Sequence, residues 1–189
     1  REVQGAEATV TMEADRVVKR RRPRTYRHPR LDERLRRERT REEARLTSEA
    51  RRHGVPTPVV FDVDVREATL VFERVGDADL RDALADSRVR DVGRHLATIH
   101  GAGFVHGDPT TRNVRVAADR TYLVDFGLGY YTDDVEDYAM DLHVLAQSLA
   151  GTADDADALF SAAEAAYREA GDPAVVDHLR DVEGRGRYQ

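Results

Sequence analysis

His106-Gly107-Asp108, Asn113 and Asp125-Phe126-Gly127 occur in this order near the middle of the chain. Four residues separate Asp108 from Asn113, and Asp125 follows Asn113 by twelve. So short an interval leaves room for a tight loop and a hairpin that carries Asp125 back beside Asn113. Val114-Arg115-Val116 and Thr121-Tyr122-Leu123-Val124 supply two such strands. The residue types suit phosphoryl chemistry. Asp108 can orient an attacking hydroxyl, while the Asn113 amide oxygen and the Asp125 carboxylate can hold Mg²⁺ against phosphates.

This is the spacing of a protein-kinase catalytic loop and the metal-binding triplet that follows it. The lysine count sharpens the expectation. Of 30 basic residues one is lysine, Lys19, at the end of Val17-Val18. Arginine replaces lysine readily on a wet surface but fits poorly where a compact ammonium must meet a phosphate. Lys19 is therefore the candidate phosphate-binding lysine. Glu43, on the helix expected after it, is its candidate partner.

The chain has 189 residues, room for one compact domain or two small lobes. It contains no cysteine, which excludes disulfides and thiolate metal sites and fits a reducing cytoplasm. No apolar run is as long as a membrane span. The chain opens on Arg1 rather than Met, directly at an expected first strand. That suggests a segment of a longer protein, a fusion included.

The net charge of −6 conceals a cationic segment: residues 16–52 hold 16 basic and 6 acidic side chains. The segment reads either as a solvated face or as a surface for nucleic acid. Arg21, Arg22, Arg24 and Arg27 beside Tyr26 favour phosphate contact with stacking, and Arg185 and Arg187 near the end repeat the theme. These six arginines are the candidate RNA-binding residues.

Residues 2–19 read as short strands with a turn at Ala14-Asp15-Arg16. Gly5, Ala6 and Glu7 form a loop whose one glycine permits close approach to a phosphate. Pro23 and Pro29 make 20–30 irregular, and Asp32 is expected to cap a helix reaching about Arg52. Two strands follow at Val59–Val65 and Thr69–Phe72. Glu73-Arg74-Val75-Gly76 then resembles an interlobe hinge, with backbone groups of Glu73 and Val75 placed for an adenine edge. Val89, Val92, Leu96 and Ile99 give residues 88–103 an amphipathic helical period. Residues 134–150, 154–170 and 174–183 read as further helices.

With these residues in hand, the chain resembles the small atypical serine/threonine kinase/ATPase of the KEOPS (EKC) complex, the PRPK family, in its archaeal form. The resemblance covers nearly the whole chain. It rests on Gly5-Ala6-Glu7-Ala8, Val18-Lys19, Tyr26-Arg27-His28-Pro29 with Leu31-Asp32, and Arg39-Thr40 with Glu43-Ala44-Arg45-Leu46. Thr110-Thr111 in the loop, Asp141-Leu142-His143 and the closing Arg185-Gly186-Arg187 complete it.

The resemblance implies an α+β, minimal bilobal kinase-like fold. A small β-rich N-lobe with one long helix would span 1–73, and a reduced helical C-lobe 74–189. ATP and Mg²⁺ are the implied cofactors. The implied partners are the tRNA threonylcarbamoyladenosine synthase subunit (sometimes fused in archaea), other KEOPS subunits and tRNA. Carried over, Lys19 contacts phosphates, Glu43 fixes Lys19, Asp108 is the catalytic carboxylate, Asn113 and Asp125 bind metal, and Asp141 braces the loop. Pro109 departs from the leucine usual after that aspartate and biases Asp108 toward extended backbone. The alternatives are a small-molecule phosphotransferase and an ATP-switched binding module for tRNA or a protein partner.

Overall fold

The computed structural model describes residues 2–5, 7–118 and 120–186, the side chains at 3 and 182–186 excepted. Ala6 and Arg187, and the Arg185 side chain, lie outside the described set.

Strands β1 (Glu2–Gln4), β2 (Ala8–Met12) and β3 (Arg16–Arg21) form an antiparallel meander, followed by helix α1 (Pro29–Arg52). Strands β4 (Val60–Asp64) and β5 (Thr69–Glu73) complete a five-stranded antiparallel sheet in the order β1-β2-β3-β5-β4. Side chains alternate across β3, so Lys19 and Arg21 are buried while Arg20 is exposed. Helix α1 packs on the sheet through Ala44, against Leu70 and Phe72.

Helix α1 starts earlier than the composition suggested. His28 occupies the N-cap, Pro29 begins the helix, and Asp32 is buried in the first turn rather than capping it. Proline at a helix start loses no hydrogen bond and brings a helical φ with it. Asp32 instead accepts from Arg24 N (3.1 Å) and Arg36 Nε (2.7 Å). The irregular stretch shrinks accordingly, because β3 runs through Arg21.

The second half contains β6 (Ala78–Asp79), α2 (Asp86–Gly101), β7 (Phe104–Val105), β8 (Val114–Ala117), β9 (Arg120–Leu123) and β10 (Tyr130–Tyr131). Helices α3 (Val135–Ala150), α4 (Ala156–Ala170) and α5 (Pro173–Gly186) follow. β8 and β9 are the expected hairpin. The pairing of β7 with β10 ties the segment before the His106–Asn113 loop to the segment after Asp125-Phe126-Gly127. Two-residue strands carry no periodicity, so nothing in the sequence announces them. Leu96, Ile99, Phe104, Leu142, Leu145 and Tyr167 centre the larger core. Among the described residues no helix is long and apolar enough to cross a membrane.

Helices α2 and α4 touch at Gly93, where a Cβ would run into the Ala163 carbonyl. In an open helix Gly→Ala is stabilising. Here Gly93→Ala should destabilise the protein by about 1–3 kcal/mol through overpacking, read as a lowered melting temperature. A raised one would mean that the two helices separate freely.

Candidate active site

Lys19 is the centre of a charge network in which Lys19 and Glu43 are buried and Asp125 is half exposed. Its Nζ lies 2.7 Å from Glu43 Oε1 and 2.7 Å from Asp125 Oδ1. Strand β3, helix α1 and the loop after β9 each contribute one of these groups. Burial opposes the Lys19 charge, but Glu43 and Asp125 outweigh it and hold the ammonium above its ordinary pKa. Burial likewise pushes the Asp125 carboxyl up, but the Lys19 charge and hydrogen bond win and bring it below the ordinary range. Asp125 adopts a left-handed backbone, φ 64°, which turns its side chain back toward Lys19.

Glu43 has a second cation. Arg21 Nη2 meets Glu43 Oε2 at 2.5 Å, with the Arg21 side chain 5% exposed. Arg21, expected on the solvated cationic face, therefore points inward, because it shares the Lys19 face of β3. The strand period of two would have found it. A Cβ at Gly127 would lie 3.0 Å from Arg21 Nη2, so the same contact bears on the glycine after Phe126.

The His106–Asn113 loop is held by its backbone. Asp141 on α3, nearly fully buried, accepts from His106 N (2.8 Å), Gly107 N (2.9 Å) and His100 Nε2 (2.9 Å). His100 Nδ1 in turn meets the Tyr167 hydroxyl at 2.8 Å, and burial pushes that phenol above its usual range, so it remains a donor. His100 and Tyr167 were not read from sequence; buried polar partners become visible only once α2, α3 and α4 are packed. Gly107 has φ 85°, and a Cβ there would strike the Leu128 carbonyl. Asp108 N donates to His106 Nδ1 (3.2 Å), so His106 carries its proton on Nε2 and donates it to Val124 O (3.0 Å).

Asn113 Nδ2 donates to Asp108 O (2.9 Å) and Asp108 Oδ2 (2.8 Å). That leaves Asn113 Oδ1 as a second acceptor beside Asp125. Burial lifts the Asp108 carboxyl above the ordinary range; His106 and the Asn113 hydrogen bond oppose this, while the Asp125 and Asp141 charges reinforce it. Pro109 fits the loop: Thr110 N donates to Asp108 O (2.8 Å), closing a tight turn around the proline.

Lys19, Glu43, Asn113 and Asp125 border a cleft of about 480 Å³ between the sheet and the hairpin; Asp108 lies beside it, bonded to Asn113, and does not itself line it. Lys19, Glu43, Asn113 and Asp125 lie along one side, Val10, Val17 and Phe72 form an apolar wall, and Gly5, Glu73 and Val75 also line it. At the expected hinge, Glu73 N is already bonded to Val59 O (2.8 Å), and Val75 O accepts from Arg115 Nε (3.3 Å). The Glu73 N–H is thus unavailable to an adenine edge; the Val75 N–H has no partner among the described residues. Gly76, φ 66°, lets Arg115 pack beneath this segment. Glu7 does not line the cleft: its carboxylate turns to Arg24 (3.2 Å) and Arg39 (3.0 Å). Paired with these two arginines, Glu7 has no reason to face a phosphate in the cleft. Arg22 is exposed, and Arg24 and Arg27 lie over the Tyr26 ring at 5.9 and 5.3 Å.

No family model matches the chain. It is 70% identical over 195 residues to the probable bifunctional tRNA threonylcarbamoyladenosine biosynthesis protein of Haloarcula marismortui, covering 100% of this chain and 36% of that protein. The chain thus spans about a third of the length of such relatives. It is 40% identical over 185 residues to the probable serine/threonine-protein kinase BUD32 homolog of Archaeoglobus fulgidus, covering 97% of this chain and 94% of that protein. The Rio2 kinase of Chaetomium thermophilum superimposes over 100% of this chain and 72% of its own with TM-score 0.64 at 16% identity. A choline/ethanolamine kinase family protein from Mesorhizobium loti gives 0.66, also at 16% identity, over 95% of this chain and 72% of its own. The fold is therefore kinase-like, α+β, with a small sheet-bearing lobe and a helical one.

A carboxyl held above its ordinary pKa destabilises the folded state at neutral pH. Asp108→Asn should therefore raise the melting temperature at pH 7, with the gain shrinking as pH falls and the wild-type Asp108 takes up its proton. A melting temperature that falls at pH 7 would refute this.

Proposed function

This chain belongs to the serine/threonine-protein kinase BUD32 family, and on that premise we propose that it is a Mg-ATP-dependent kinase and ATPase serving tRNA threonylcarbamoyladenosine modification. The observation that carries the reading is the placement of Lys19, Glu43 and Asp125 within 2.7 Å contacts beside the Asp108–Asn113 pair. The names of the longer relatives support the modification role. The proposed partners are the synthase portion of such proteins, other KEOPS subunits and tRNA.

In this reading the lobes divide near Glu73–Arg74, and the cleft takes ATP. Val10, Val17 and Phe72 cover the adenine faces, and the Val75 N–H donates to its edge. Lys19, kept charged and oriented by Glu43, holds phosphate oxygens. Gly5 lets the backbone come close to them. Asn113 Oδ1 and Asp125 suit Mg²⁺, which supplies charge neutralisation when bound. Among the described residues no group of three or more His, Cys, Asp or Glu is arranged for a metal. Two protein oxygens suit an ion that completes its shell with phosphate and water. Asp108 accepts a hydrogen bond from the acceptor hydroxyl, of a protein serine or threonine or of water, and aligns it with the phosphorus. Asn113 holds the Asp108 carboxylate in place, and His106 and Asp141 hold the loop.

Incubation with γ-labelled ATP and Mg²⁺ should place label in protein and in free phosphate, and Asp125→Ala should lower both by about 10²–10⁴-fold. Label that persists in the mutant would overturn the assignment. Absence of label even with synthase and tRNA present would favour the ATP-switched binding module.

We further propose that Arg22, Arg24 and Arg27, with Arg185 and Arg187, contact tRNA phosphates. Changing Arg22 and Arg27 to Glu should abolish binding and flatten its salt dependence. Unchanged affinity would remove this surface from the account.

A further inference from the structure

A second cluster of charge lies outside the cleft, where the Gly5–Glu7 loop, the end of β3 and the first half of α1 meet. Arg21, Arg22, Arg24, Arg36 and Arg39 surround a small open hollow beside Glu7. With Arg27, six guanidinium groups line it, against the carboxylates of Glu7, Asp32 and Glu43. Glu43 is already shared with Lys19. The hollow therefore carries excess positive charge, with Glu7 as the one carboxylate among the described residues that line it.

A second observation points the same way. Arg21 Nε is buried and has no hydrogen-bond partner among the described residues. Arg21 donates through Nη2 to Glu43 while its side chain borders the hollow. A buried N–H of a charged group left unpaired is costly, and an anion at this hollow would satisfy it. The room is about 10 Å³, enough for one oxygen, with the rest of a ligand outside the mouth. Arginine forks suit tetrahedral oxyanions.

We propose that this hollow is an anion site, separate from the nucleotide cleft, that seats one oxygen of a phosphate group: inorganic phosphate or the monoester of a phosphorylated serine or threonine. The converging guanidiniums define a point, which fits a terminal phosphate; Arg22, Arg24 and Arg27 are shared with the proposed tRNA surface, so a phosphate seated here and tRNA would compete for them. Glu7 is the internal anion that such a phosphate displaces from Arg24 and Arg39. Because Arg21 also holds Glu43, the site touches the network that orients Lys19. The inference does not rest on the nucleotide reading.

The test is calorimetric titration with inorganic phosphate, and separately with a phosphoserine peptide, in the presence of saturating ADP and Mg²⁺. The Arg21 Nε–H resonance is followed in parallel. One phosphate should bind per chain and move that resonance. Arg39→Gln should weaken binding about tenfold, and Glu7→Gln should strengthen it, since it removes the internal competitor. The opposite signs separate a site from general misfolding, which the melting curve reports. Whichever of phosphate and phosphopeptide binds tighter identifies the source. ADP affinity, measured alone, reports on the cleft independently. The proposal falls if no saturable binding occurs and the hollow holds only water. It falls equally if chloride substitutes at equal concentration, if the two variants shift affinity in the same direction, or if only an RNA oligonucleotide binds.

Discussion

A knot of charge sets the terms for everything around it: Lys19, Arg21 and Glu43 are buried, and the half-exposed Asp125 closes the knot at the cleft. Lys19, Arg21, Glu43 and Asp125 come from a strand, a helix and a loop that are far apart in sequence, yet they share contacts of 2.5–2.7 Å. Desolvating such charges is expensive, and removing one partner strands another in a low-dielectric interior, typically at about 3–5 kcal/mol. The knot therefore ties the sheet, α1 and the Asp125 loop to a single arrangement. The cleft beside it is a consequence of that arrangement.

The loop from His106 to Asn113 poses a different problem, one of backbone rather than charge. Its peptide N–H groups at His106 and Gly107 point inward and need an acceptor, which Asp141 supplies from α3. Gly107 must be glycine twice over, for its positive φ and for the approach of the Leu128 carbonyl. His106 serves as a spacer between two backbone groups, at Asp108 and Val124. Asp108 is thus held by a frame that does no chemistry. Its raised pKa records the stability cost of burying a carboxylate, to which the Asp125 and Asp141 charges add.

Charge on the rest of α1 is mostly neutralised locally. Arg34 with Glu38 and Arg37 with Glu33 are exposed pairs four residues apart, worth little individually. The arginines around Glu7 differ because they converge from three elements on one hollow. A count of basic residues cannot tell these situations apart, and this is why Arg21 was misplaced among surface residues.

The sequence by itself determined the family resemblance and the local elements that carry it. The intervals between Asp108, Asn113 and Asp125 favour a tight loop and a hairpin, both of which the fold has, and the lone lysine among arginines singled out Lys19, which pairs with Glu43 and Asp125. Helices with a clear 3.6-residue period were legible for the same reason, since burial of one face writes itself into local order. Tertiary structure decided what has no local signature. It gave Arg21 to Glu43, turned Glu7 away from the cleft, closed β7 onto β10, and aligned Tyr167 and His100 behind Asp141. Each of these depends on contacts between residues far apart in the chain, whose energies arise only when separate elements pack and exclude water from between them.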